Sequence, residues 1–191
     1  EKAKLINAKV SYYTGNFNFA KGQLDVLKGS TSKLIANDAM ALSILITDNS
    51  TIDTTTIPLL MFSRADLMSY QNKDSLANLV LDSITQEYPG HALADEVLYK
   101  KYEIAFKNQQ FDECVTQLES ITTAYSYDVL ADDATFKLAQ LYDYVFNNPA
   151  KAKEYYGKIL FNYQGSLFVV EARKRYREIE AQTPPVKDDN L

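Results

Sequence analysis

Two stretches of the chain, "ALADEVLYK" (92–100) and "VLADDATFK" (129–137), superimpose with their alanines Ala94 and Ala131 37 residues apart. The match extends in both directions. Ala77, Leu81, Ile84 and Tyr88 precede Cys114, Leu118, Ile121 and Tyr125 by 37 residues, and Ala152, Tyr156, Ile159 and Tyr163 follow at 38. An earlier copy, Ala20, Leu24 and Leu27, stands 57 residues before Ala77, Leu81 and Ile84. Such a period constrains the fold strongly. A unit this short cannot bury an apolar face alone and must stack on its neighbours.

Each unit reads as two helices. Leu98, Tyr102 and Ala105 recur at spacings of four and three, as do Cys114, Leu118 and Ile121, which puts an apolar stripe on one side of each helix. Asn-containing links join the helices of a pair: "GNFN" (15–18), "QNKD" (71–74), "KNQQ" (107–110) and "FNNP" (146–149). Pro149 is suited to open a helix, where its missing N–H is not needed. The links between units are "YPGH" (88–91), "YSYD" (125–128) and "YQGS" (163–166). With only 6 Gly and 5 Pro there is too little turn chemistry for a strand-rich fold.

The spacing predicts helices over 2–14, 17–28, 33–48, 57–71, 74–87, 92–107, 111–124, 129–146, 149–162 and 166–181. The alternation breaks after 33–48, which reads as a first helix with no second. "NSTIDTTT" (49–56) then predicts a linker or kink. The expected organisation is a helix pair plus an extra helix over 1–48, that linker, a regular array over 57–182 and a disordered tail over 183–191. The last helix is apolar early and charged late, with Arg173, Lys174, Arg175 and Arg177, as an array-ending helix requires.

The array resembles the tetratricopeptide repeat (TPR) family. The residues that carry the resemblance are Ala20/Leu24/Leu27, Ala77/Leu81/Ile84/Pro89, Cys114/Leu118/Ile121 and Ala152/Tyr156/Ile159. The small first-helix residues Ala8, Ala65 and Ala139 add to it. Tyr102 departs from the pattern, the units exceed the family's usual length, and no Trp is present. The resemblance implies an all-α, right-handed superhelix of stacked helix pairs with a C-terminal capping helix. The link running from Tyr88 to Glu96 is similar to long TPR units of bacterial envelope proteins of the outer-membrane assembly and Tol–Pal types. It implies a periplasmic or outer-membrane-associated setting, the cytoplasm being the alternative.

The acidic pairs Asp95/Glu96 and Asp132/Asp133 invite a reading as metal ligands or acid–base groups. They fall, however, in the first turns of their helices, where acidic side chains offset the helix dipole. Asp38 in "LIAND" stands in the equivalent place. With one His and one Cys, no His/Cys metal cluster can form. His91 reads as a turn residue and Cys114 as a small packing residue. No phosphate-cradling glycine motif is present. The expectation is therefore a non-enzymatic protein with no metal and no cofactor.

The net charge of −5 disfavours nucleic acid as a partner, and no apolar run is long enough to span a bilayer. The TPR resemblance places ligand segments along the first helices. Carried over, it makes Phe62, Asp66 and Tyr70, then Tyr99, Glu103 and Phe106, then Phe136, Gln140 and Tyr144 the partner-binding stripes. Tyr12 and Tyr13 belong to the first unit. The competing reading is that these aromatics only fill spaces between helices. The expected function is an interaction scaffold for a protein or peptide partner. The alternative is a spacer or a self-associating segment that forms a homodimer.

Overall fold

The computed structural model describes residues 1–51 and 55–182. Among them there are ten α-helices, one π-helical turn and no strand. The helices are α1 (Lys2–Tyr13), α2 (Phe17–Leu27), α3 (Lys33–Thr51), α4 (Ile57–Tyr70), α5 (Asp74–Glu87), α6 (Ala94–Lys107), α7 (Phe111–Ala124), α8 (Ala131–Gln140), α9 (Pro149–Asn162) and α10 (Val169–Gln182). The π turn, Leu141–Val145, continues α8. The chain is all-α, as the periodicity predicts.

The links within pairs share one geometry. Each places a residue in the left-handed region: Gly15, Asn72, Gln109 and Asn147. Glycine is required at the first of these. Its φ is +80°, and a Cβ there would meet Leu60 Cδ1 at 2.9 Å. Asparagine tolerates the left-handed region better than most residues, which accounts for Asn72 and Asn147. In the first three links an N–H reaches back five residues to close the helix end: Asn16 to the Ser11 carbonyl, Lys73 to Met68 and Gln110 to Ala105. In the fourth, Asn148 reaches six residues back, to Tyr142. The π turn lies between these positions. It absorbs the one extra residue that makes the last period 38 instead of 37.

The links between units are each two consecutive turns. His91 N–H donates to the Tyr88 carbonyl and Ala94 N–H to His91. The same two bonds recur at Tyr125/Asp128/Ala131 and at Tyr163/Ser166/Val169. The double turn delays α6, α8 and α10 by two or three residues relative to the expected starts.

Two further expectations are corrected, and a third falls outside the described residues. Helix α3 runs to Thr51, so residues 49–51 of the expected linker are helical. Residues 52–54 and the expected disordered tail 183–191 lie outside the described residues. Asp38 sits in the second turn of α3, not the first, so it is no helix-start signal.

The chain divides into two compact units at Val97/Leu98, in the first turn of α6. In the first unit, α1 packs on α2 and α4, α2 on α3, and α4 on α5. Its core includes Leu5, Ala8, Tyr12, Leu24, Leu59, Ala65, Leu81 and Ile84. In the second, Cys114, Leu118, Ile121, Ala134, Leu138, Ala139, Tyr156 and Ile159 form one continuous core. All the repeat-defining residues of α7 and α9 are in it.

Candidate interaction surface

The first-helix stripes do not form one uniform surface. Each runs from a buried or half-buried N-terminal residue to an exposed C-terminal one. Phe62 and Phe136, expected to be exposed, are each only 3% exposed. Phe136 stacks flat on Phe168, 4.5 Å between centroids, and meets Tyr156 edge-on. It therefore fills the space between α8, α9 and the segment before α10. Burying a Phe stabilises by about 1.5–3 kcal/mol, so the core claims it over any partner.

Tyr99 is half-buried and donates its hydroxyl hydrogen bond to Asp133. Burial, and then the Asp133 carboxylate, push its phenol pKa well up. Tyr99 begins an aromatic ladder through Tyr102 and Phe106 to Phe111, with centroids 5.3, 6.0 and 6.0 Å apart. Offset and edge-on pairs of this kind are favourable. Phe106, at the end of α6, is 48% exposed while its ring remains braced by Tyr102 and Phe111. Glu103, exposed, pairs with Lys100 one turn back. Gln140 is half-buried. In the first unit Asp66 is half-buried and Tyr70 is fully presented to solvent at the end of α4.

Tyr144 lies in the π turn, exposed, with the Arg175 guanidinium 5.5 Å above its ring. That arginine is the main feature sequence reasoning missed, because its charge read simply as part of a solvated face. Arg175 grips the buried Asp143 with two hydrogen bonds, Nε to Oδ2 at 2.6 Å and NH2 to Oδ1 at 2.9 Å. Its NH1 reaches Glu178 at 2.9 Å. Tyr156 donates to Asp143 Oδ2 at 3.2 Å. These acceptors push the guanidinium pKa upward. The site is thus a bidentate, charge-assisted lock between the π turn and α10. The unequal period was the available signal, since an extra residue in a helix turns the next side chain inward.

The acidic pairs prove to be more than helix-start signals. Asp132 accepts the Asp133 N–H at 2.8 Å, and Asp133 holds Tyr99. Asp95 is buried at the start of α6. Glu96 accepts from the Asn49 amide at 3.4 Å. Burial, reinforced by Asp95, holds its carboxyl well above the usual carboxylate range. Among the described residues no group of three or more His, Cys, Asp and Glu could hold a metal.

His91 Nδ1 accepts the Leu93 N–H at 3.1 Å and stitches its turn. Cys114 is buried, its thiol pushed up to about 11 by desolvation, with its S–H toward the Tyr102 carbonyl at 3.9 Å. A thiol so placed is a packing group, far from the thiolate form that reacts. Two open grooves of the second unit, one around Gly157, Phe161 and Tyr176 and one around Tyr127, Asp128 and Ser166, contain none of the stripe residues.

No helix among the described residues is long and apolar enough to cross a membrane. No profile of a known protein family matches the sequence, and no curated protein matches it.

Proposed function

We propose that this chain is a non-enzymatic protein-binding scaffold of the TPR type, and that in its second unit the partner lies across Glu103, Phe106, Gln140 and Tyr144. The observation that carries the reading is the pairing of exposure with bracing. Phe106 and Tyr144 offer ring faces to solvent while neighbouring rings and Arg175 fix their orientation. Aromatics ordered in advance lose little entropy on binding, which is why they serve as interface anchors. Tyr70 is the corresponding residue of the first unit. The partner is a protein or peptide segment with apolar anchors and without strong negative charge, given Glu103 beside the aromatics. The resemblance of the link between Tyr88 and Glu96 to envelope proteins supports a partner at the bacterial envelope.

The test is partner capture by the wild-type chain against the double variant Phe106→Ala/Tyr144→Ala. Both residues are surface-exposed, so the variant folds, as its thermal melt will verify. The expected outcome is a loss of partner affinity of at least about tenfold, in line with two anchor residues. Capture at wild-type level by the folded double variant overturns the reading. Phe62→Ala and Phe136→Ala are unsuitable for this purpose, because both create core cavities.

A further inference from the structure

Helix α1 carries apolar residues on two sides. Leu5, Ala8 and Tyr12 are buried in the first unit, while Ala3, Ile6 and Val10 form an exposed stripe on another face. The repeat register gives this stripe a meaning. With Ala8 laid on Ala139, Ala3 falls on Ala134, Ile6 on Lys137 and Val10 on Leu141. Ala134 and Leu141 are buried at 0% and 3%, whereas Val10 is 54% exposed. The difference has a visible cause. Helix α7 packs along both α8 and the π turn, and no described helix takes the corresponding place on α1. Helix α1 thus has the composition of an interior first helix without the second helix that should cover it. Ile6, standing where the interior helix has a lysine, makes the face still more apolar.

Charge narrows the occupant. Helix α1 contains Lys2, Lys4 and Lys9 and no acidic residue. Helix α7, which covers the equivalent face of α8, contains Asp112, Glu113 and Glu119 and no basic residue. A second copy docking through its own α1 or α10 is a poor fit. Two α1 faces in contact would bring their lysines together, and α10 would present Arg173, Lys174 and Arg177 to them. The stripes of α2, α5, α7 and α9 are already buried within each copy.

We propose that Ala3, Ile6 and Val10 form a docking face for an acidic amphipathic helix of a partner protein. That helix presents a small residue followed by large apolar residues four and seven positions later, as α7 does with Cys114, Leu118 and Ile121. This face is distinct from the one around Phe106 and Tyr144.

The probe is a stapled, fluorescein-labelled peptide of the α7 sequence, Phe111–Ala124, carrying Cys114→Ala to prevent oxidation. The staple compensates for the instability of a 14-residue helix alone. Anisotropy titration of the full chain is expected to show saturable binding. Affinity should weaken at least about tenfold in Val10→Glu and fall as salt rises from about 50 to about 300 mM. Leu79→Glu, an exposed leucine of α5, and Phe106→Ala/Tyr144→Ala should leave it unchanged. Val10 is exposed, and a thermal melt will show that its variant is folded. No saturable binding, or binding indifferent to Val10→Glu, overturns the proposal. Sedimentation showing a dimer that Val10→Glu dissolves also overturns it, by assigning the face to a second copy. Loss of peptide binding in Phe106→Ala/Tyr144→Ala would mean that the peptide sits on the other surface, which likewise overturns it.

Discussion

Two carboxylates on first helices, Asp143 buried and Glu96 half-buried, behave differently. Asp143, in the second unit, faces a guanidinium that makes two hydrogen bonds to it, and Tyr156 adds a third. Glu96, in the first unit, has an amide donor from Asn49 and a neighbouring acid, Asp95. Removing a charge from water costs several kcal/mol unless an opposite charge and hydrogen bonds replace the lost hydration. Asp143 has those replacements. At Glu96 burial prevails, reinforced by Asp95, and the carboxyl pKa is raised. Similar helices with similar acid content therefore hold one fixed ion pair and one group poised to titrate.

The contrast can be broken most forcefully from the Arg175 side. Arg175→Met leaves Asp143 buried without its cation, and unfolding free energy should drop by about 2–4 kcal/mol, read by urea denaturation. Asp143→Asn/Arg175→Met should recover part of the loss. If the single variant loses less than the double, the two residues are not coupled as described.

The next effect concerns pH. Glu96 binds its proton more tightly when folded, since its pKa is raised from about 4.5 to about 9. Between those values the unfolded chain releases the proton before the folded one does. Stability therefore falls as pH rises through that window. Glu96→Gln should remove this slope and stabilise the protein at pH 8 by roughly 1–3 kcal/mol. A slope that survives in the variant would assign the pH dependence to another group.

A smaller loss, about 1–1.5 kcal/mol, is expected for Tyr99→Phe, which deletes the hydroxyl bond to Asp133 and leaves the carboxylate half-buried. The smallest difference separates two acids that look alike in sequence. Asp132→Ala removes a first-turn acid and should cost about 0.5–1 kcal/mol, while Asp38→Ala, in the second turn of α3, should stay within about 0.5 kcal/mol of wild type. Equal losses would show that first-turn position is not what matters.

These cases show what a single sequence makes legible. Helix existence and pairing were readable because the stripes Ala77/Leu81/Ile84 and Cys114/Leu118/Ile121 report a local periodicity that packing then enforces. The starts of α6, α8 and α10 were not, because the turn bonds from Tyr88, Tyr125 and Tyr163 take up residues that fit a helix equally well. The exposure of the first-helix stripes was half legible. Periodicity assigns a residue to a face, but whether that face meets solvent depends on what arrives from elsewhere in the chain. Phe168 closes over Phe136, and nothing local to "VLADDATFK" announces it. The Asp143–Arg175 pair joins positions 32 residues apart and was invisible for the same reason.

The π turn has a consequence for heredity. Repeat arrays grow by copying whole units, and copies drift apart in length only where a stray residue can be housed. Here the surplus residue was taken into the end of α8, where Asp143 now meets Arg175. The last unit is therefore no longer interchangeable with its siblings. An engineer who transplants it into another array must carry the extra residue and its arginine together. Deleting one without the other would leave a carboxylate stranded in the interior.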